Sequence, residues 1–172
     1  LGGNNAVIVD DTAKLDLALR AVVFGAVGTT GQRCTSTRRL FLHESIAEDF
    51  TNKLVKAYGS LTIGDPLEAS TLVGPMIDDG AIDDMMNALE RVKAEGGEIL
   101  CGGKRIDRKG SYVEPAIVKA RNDMEIVQEE TFAPILYVMT YSTIDEVIHL
   151  HNDVPQGLSS SMFTSNFYHA ER

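Results

Sequence analysis

The chain has 172 residues, 44% of them apolar and 24% charged, with a net charge of −9. That length suits one domain that buries roughly 70% of the surface its unfolded form exposes. The acidic balance argues against nonspecific nucleic-acid binding, which needs a basic face, and no apolar run approaches the roughly 20 residues of a membrane span.

In chain order, residues 5–10 form a short β-rich run and a buried-strand candidate. Asp10, Asp11 and Thr12 are good N-cap types for the next segment. Leu15, Leu17, Ala18, Ala21, Val22, Phe24 and Ala26 fill a helix that is apolar almost all round and is expected to be buried. Residues 38–43 read as a strand. Ile46, Phe50, Leu54, Val55 and Tyr58 recur at helical spacing after Glu44. Gly64-Asp65-Pro66 breaks the chain. Residues 78–94 form a second amphipathic helix, stopped by Gly96-Gly97. Strands are expected at residues 98–101, 112–118, 134–140 and 158–164. A single helical turn is expected at 123–127, and a helix capped by Thr143 runs to His151. Strands and helices alternate, and the strands are continuously apolar. The expected fold is therefore α/β: a doubly wound, mostly parallel sheet with helices on both faces.

The stretch Gly28-Thr29-Thr30-Gly31-Gln32-Arg33-Cys34-Thr35 sits between two apolar runs. Its glycines let the backbone turn sharply and approach a ligand closely. Arg33 places a positive charge next to the thiol, and a nearby cation favours the nucleophilic thiolate. The alternative is a small buried cysteine behind a helix end, since free cysteine is among the most buried residue types. Taken as residues alone, Glu130 and Phe132 read as part of an acidic cluster with Glu125 and Glu129, and a core phenylalanine, leading into a strand.

Gly31-Gln32-Arg33-Cys34 resembles the catalytic-cysteine motif G-Q-x-C of the aldehyde dehydrogenase superfamily. Leu1-Gly2-Gly3-Asn4 resembles the family's E-L-G-G-N segment without its glutamate. Gln128-Glu129-Glu130-Thr131-Phe132-Ala133-Pro134 resembles E-E-x-F-[GA]-P. Gly74-Pro75-Met76, Tyr112-Val113-Glu114-Pro115 and Gly157-Leu158-Ser159-Ser160-Ser161-Met162-Phe163-Thr164 follow in the family's order. Six matches in order cover nearly the whole chain. Arg38-Arg39-Leu40-Phe41, His43-Glu44-Ser45-Ile46 and Thr131-Phe132-Ala133-Pro134-Ile135-Leu136-Tyr137 are similar to the antiquitin-like branch, the aminoadipate-semialdehyde dehydrogenases.

The resemblance implies a nucleophile at Cys34 that adds to an aldehyde carbonyl. Hydride then leaves to the nicotinamide, and water hydrolyses the thioester. The backbone N–H of Cys34 would help hold the oxyanion. Glu130 would hold the nicotinamide ribose and Phe132 would lie near the ring. Leu1 and Gly2 would line the nicotinamide pocket through backbone groups. Arg33 would pair bidentately with the α-amino acid group of the substrate; alternatively it faces solvent or only tunes the thiol. The implied cofactor is NAD, with NADP not excluded. The implied substrate is a small-molecule aldehyde, 2-aminoadipate 6-semialdehyde from lysine breakdown. The alternatives are a coenzyme-A-acylating or other-substrate aldehyde dehydrogenase, or a non-catalytic interaction module.

Residues 1–172 are expected to be one cysteine-bearing catalytic-domain fragment. The glutamate base, the dinucleotide-binding part and the oligomerisation part would lie outside it. The fragment alone would then turn over little, and the full-length protein would be a homo-oligomer, a tetramer. Two cysteines, Cys34 and Cys101, make no disulfide framework and suit a reducing compartment. No signal-peptide pattern opens the chain. The expected location is the cytoplasm, or the mitochondrion in a eukaryote. No metal site is expected, because His43, His149, His151 and His169 have no ligand partner at metal spacing. Ser159-Ser160-Ser161 lacks the G-x-S-x-G elbow of a serine hydrolase.

Overall fold

The computed structural model describes residues 2–172. Leu1, expected at the nicotinamide pocket, lies outside the described residues. The apolar run after Asn4 becomes β1 (Asn5–Val9), buried along its whole length. The chain then forms α1 (Leu15–Val27), β2 (Thr37–His43) and α2 (Glu44–Gly59). Next come α3 (Asp79–Ala94), β3 (Glu98–Cys101), β4 (Ala116–Lys119) and the single turn α4 (Glu125–Gln128). β5 (Ile135–Tyr141), α5 (Ile144–Asn152), β6 (Ser160–Phe163) and α6 (Phe167–Ala170) complete it.

The strands form one sheet in the order β3-β4-β5-β2-β1-β6. Only the β3–β4 edge pair is antiparallel; every other neighbour pair is parallel. Successive strand residues face opposite ways, so each strand feeds two cores. Val7, Val9, Leu40, Leu42, Leu136 and Val138 pack with α1 and α2 on one face. Ala6, Ile8, Phe41, Ile135, Tyr137 and Met139 pack with α3, α4 and α5 on the other. Leu40, Phe41 and Leu42 are wholly buried, and each such side chain contributes roughly 1.5–3 kcal/mol. This is the expected doubly wound arrangement with helices on both faces.

Three local expectations change. The α1 helix is buried only along Ala18, Val22, Ala26 and Val27, while Leu17 is 58% and Phe24 68% exposed. Those two are seven residues apart, two turns along the stripe that faces away from the sheet. The helix is preceded by Lys14 with no side-chain cap. Asp10 is instead turned inward, accepting hydrogen bonds from Thr12 Oγ1 and Thr164 Oγ1, each at 2.7 Å. The strand expected from residue 112 begins only at Ala116. Pro115 has no N–H for a ladder, and Val113 makes just an isolated bridge with Arg105. Other punctuation is as expected. Thr143 accepts from Glu146 N and caps α5, and Gly96 at φ +87° ends α3.

Candidate active site

The site lies at the amino ends of β1, β2, β5 and β6. Four lead-in segments meet there: Gly2–Asn4, the turn through Cys34, Glu130–Pro134 and Ser159. Cys34 is exposed, three residues before Thr37 opens β2. The reading of Cys34 as a buried structural thiol therefore fails.

Between α1 and Cys34 the chain passes through a short left-handed turn, Gly28–Gly31. The sharp turn expected of its two glycines is made differently. Gly28 has an ordinary backbone (φ −55°, ψ 131°). Its missing side chain instead makes room for Arg33, whose Nη2 would lie 2.8 Å from a Cβ there. Thr29 (φ 53°), Thr30 (φ 55°) and Gly31 (φ 65°) take the left-handed region. For a β-branched residue that costs about 1–2 kcal/mol each. The turn is held by Thr30 Oγ1 donating to Gly74 O at 3.0 Å and by Ile77 N donating to Gln32 Oε1 at 2.9 Å. Gly31 also packs on the Ala133–Pro134 backbone, where a Cβ would lie 2.6 Å from Ala133 O.

The backbone after the cysteine is pinned from β1. Asn5 Nδ2 donates to Cys34 O at 2.7 Å and to Ser36 O at 2.8 Å. Asn5 Oδ1 accepts from Ser159 N (3.2 Å) and Ser159 Oγ (2.9 Å). Gly3 packs so tightly on this loop that a Cβ there would overlap Cys34 O.

Glu130 comes to the same place. Its Oε1 accepts from Gly3 N at 3.1 Å, and Gly2 lies against its Oε2, where a Cβ would overlap. The carboxylate is 21% exposed, and the Phe132 ring beside it is 45% exposed. Phe132 is thus no core residue. The acid that does belong to a surface cluster is Glu129, paired with Arg91 Nη1 at 2.6 Å.

The cation at the centre is Arg38, whose side chain is 2% exposed. Its Nη1 and Nη2 each donate to Gly31 O at 3.3 Å, Nη1 also to Ala133 O and Nη2 also to Arg33 O, both at 3.3 Å. Nη2 lies 3.5 Å from Glu130 Oε1, and the guanidinium carbon sits 5.3 Å from the centre of the Phe132 ring. Burial pulls the guanidinium below its ordinary pKa, and the Glu130 charge opposes that pull. A charge at Cys34 would act in the same direction as Glu130. Arg33, by contrast, folds back over Phe24 of α1, 5.4 Å from the ring centre, with Nε shielded and unpaired.

Sequence reasoning gave Arg38 and Asn5 no role in the site. The available signal was Arg38-Arg39 inside an apolar strand. Neighbouring strand residues face opposite sides, so two consecutive buried arginines need two sets of polar partners. Arg39 finds its own in Asn4 O, Asn122 Oδ1, Leu150 O and His151 O at 3.0–3.1 Å. Burial pushes it down to about 10, so it stays charged near neutrality. Beside it, a cavity of about 240 Å³ is lined by Asn4, Asn5, Gln156 and Ser159 among others. A larger groove, about 590 Å³, lies at the other end of the strands against Val138–Thr140 and holds none of the site residues.

Among the described residues, no group of three or more His, Cys, Asp or Glu side chains is placed to hold a metal ion. No helix among them is long and apolar enough to cross a membrane.

The structure thus sets an exposed cysteine, just after a left-handed turn, in the same region as a partly exposed carboxylate and ring. The sequence model of the aldehyde dehydrogenase family matches residues 1–172, and the chain belongs to that family. It is 50% identical over 167 residues to alpha-aminoadipic semialdehyde dehydrogenase of Bos taurus, covering 96% of this chain and 31% of that protein. It is also 50% identical over 165 residues to aldehyde dehydrogenase family 7 member A1 of Malus domestica, covering 96% and 32%. The chain therefore spans about a third of the length of the curated relatives it matches. Betaine aldehyde dehydrogenase of Staphylococcus aureus, solved in complex with NAD+, superposes with a TM-score of 0.97 at 33% identity, over 100% of this chain and 35% of that one.

Proposed function

We propose that the whole protein oxidises an aldehyde to its carboxylate with NAD, and that Cys34 is the nucleophile. The observation that carries this reading is the convergence of an exposed Cys34 with Glu130 and Phe132 around buried Arg38. The residues fit the cofactor. Glu130 Oε1 is held by Gly3 N–H, and Gly2 leaves room for Oε2. That oxygen is the one that would accept from a ribose hydroxyl, with Phe132 offering a ring face to the nicotinamide. Bound NAD would supply the hydride acceptor.

In this reading the Cys34 thiolate adds to the aldehyde carbon, and the carbonyl oxygen takes the negative charge. The Cys34 N–H donates to that oxygen, a contribution of about 3 kcal/mol in comparable sites. Loss of hydride leaves a thioester on Sγ, which water hydrolyses to the acid. The relatives named for alpha-aminoadipic semialdehyde support that substrate. Arg33, next to the nucleophile, would pair with its α-carboxylate. Because the chain spans a third of its relatives, the 172-residue chain alone is expected to form no NADH.

The test is NADH formation from aminoadipate semialdehyde by the full-length protein and its Cys34→Ser variant. Activity in the first and none in the second is expected; equal rates would remove Cys34 from the chemistry. Arg33→Ala should raise KM for this substrate far more than for a plain alkyl aldehyde, and equal effects on both would reject the anchor.

A further inference from the structure

We infer that Arg38 is a positioning residue that sets the Cys34 oxyanion donor and the Glu130 carboxylate in one fixed relation. This rests on the roles given to Cys34 and Glu130 above. The peptide unit joining Arg33 to Cys34 carries the Arg33 carbonyl on one side and the Cys34 N–H on the other. Such a unit is planar and trans, so its C=O and N–H point in opposite directions. Arg33 O accepts from Arg38 Nη2 at 3.3 Å and from Ser36 N at 3.0 Å. Holding that carbonyl turns the Cys34 N–H away from Arg38. Among the described residues the N–H has no protein acceptor, which leaves it for a substrate oxygen.

The same Nη2 lies 3.5 Å from Glu130 Oε1. With Gly3 N also donating there, Oε1 is occupied by the protein and Oε2 is the oxygen left for a ligand. Arg38 thus touches the two halves of the site with one rigid planar group. Its Nε is buried without a partner. The guanidinium is held by its two Nη atoms, which face the loop and the carboxylate. A fork of fixed geometry suits this task, and a lysine, a single point charge, cannot hold both ends.

The test uses the full-length protein with Arg38→Gln and Arg38→Lys and three separate readouts. The first is acylation of Cys34 by p-nitrophenyl acetate. There Sγ attacks the ester carbon, the C–S bond forms, and the C–O bond breaks with the electron pair leaving on nitrophenolate. This step needs the oxyanion donor but no cofactor. The second is alkylation of Cys34 by iodoacetamide, a displacement at a saturated carbon that forms no oxyanion there. The third is the Kd for NAD.

Arg38→Gln should slow acylation about tenfold or more and raise the Kd about tenfold, with alkylation within about twofold of the parent. Arg38→Lys should restore at most one of the two impaired readouts, and it serves alone if the glutamine variant does not fold. Three outcomes overturn the inference. One is unchanged acylation and NAD binding. Another is an equal fall in acylation and alkylation, which marks general disruption. The third is a lysine variant that restores both readouts, which marks charge alone. If the parent itself shows neither acylation nor NAD binding, the roles of Cys34 and Glu130 fail, and this inference falls with them.

Discussion

Gly3→Ala is the sharpest steric test of the site. The backbone of Gly3 has no positive φ, so alanine carries no conformational penalty there and the whole effect is contact. A Cβ at this position would overlap Cys34 O and lie 2.9 Å from Asn5 Oδ1 and 3.0 Å from Asn5 Nδ2. Reaching an ordinary contact with Cys34 O takes a shift of about 1 Å, comparable to misplacements that cost roughly a hundredfold in rate. The shift is not easily absorbed. Asn5 holds the same carbonyl at 2.7 Å and is itself held by Ser159. On the other side, Gly3 N is engaged with Glu130. Overpacking of this kind typically costs 1–3 kcal/mol of stability, so the full-length variant should fold. We expect kcat for NADH formation to fall about a hundredfold. Gly157→Ala, where a Cβ meets nothing within 4 Å, is the control, with stability within about 0.5 kcal/mol of the parent. A Gly3→Ala enzyme with kcat within about twofold of the parent would refute the close approach of Gly3 to the Cys34 loop and the rate reasoning built on it.

Glu130→Gln keeps the shape but removes the charge facing Arg38; stopped-flow NADH formation should slow or NAD binding weaken, and unchanged kinetics would end the cofactor assignment. Thr29→Gly relieves a left-handed β-branched residue and should stabilise the protein by about 0.5 kcal/mol after the glycine entropy cost. Thr30→Gly should not: Thr29 gives up only an exposed bond to the neighbouring Gly28 O, whereas Thr30 is buried and loses the bond that ties the turn to Gly74 O; denaturant midpoints of the two variants distinguish them. Burial raises the Asp10 carboxyl, but hydrogen bonds from Thr164, Thr12 and His169, with the His169 charge, outweigh it and hold the group below 3.8. A depressed folded pKa contributes stability that is present above the unfolded value and lost as pH falls through the folded one. Unfolding free energy of the parent should therefore drop as pH falls below about 4. Asp10→Asn should lack that part of the fall, and parallel pH profiles would contradict it.

The alternation of apolar runs with amphipathic helices was enough to read the α/β class, since burial on both faces leaves continuous apolar strands. Apolarity alone did not show that β4 waits for Ala116: Tyr112 and Val113 extend the apolar run, while Pro115, which has no N–H for a ladder, interrupts the pairing. In the site, Cys34, Gly2, Glu130 and Phe132 were legible as motif residues, and the structure brings them together. Arg38 and Asn5 were given no role there: two consecutive arginines in an apolar run signal buried polar partners without saying which, and Asn5 reads locally as one more strand position. Their roles come from register. Parallel pairing of Asn5 with Thr37 sets the β1 lead-in beside Cys34. The β2–β5 pairing, Arg39 opposite Tyr137, sets Arg38 beside the segment from Glu130 to Pro134. Likewise, a threonine in the left-handed region leaves no mark in composition or periodicity.

With Cys34 as the proposed nucleophile, the placement of the site accounts for a buried cation beside it. In doubly wound sheets ligands usually lie outside the carboxyl ends of the strands, where following helices present their positive amino ends. Here the site lies at the amino ends, and Cys34 follows the carboxyl end of α1, which ends at Val27. A helix carboxyl end carries partial negative charge, so α1 offers nothing to a thiolate or an oxyanion. The positive field must come from side chains. Arg33 is turned over Phe24, and Arg38 is the buried charge between the loop and Glu130. Glu130 keeps the desolvated guanidinium paired, and the guanidinium keeps Glu130 fixed. The Glu130 carboxylate and the Cys34 loop therefore share one counter-charge, and neither can be moved without disturbing the other.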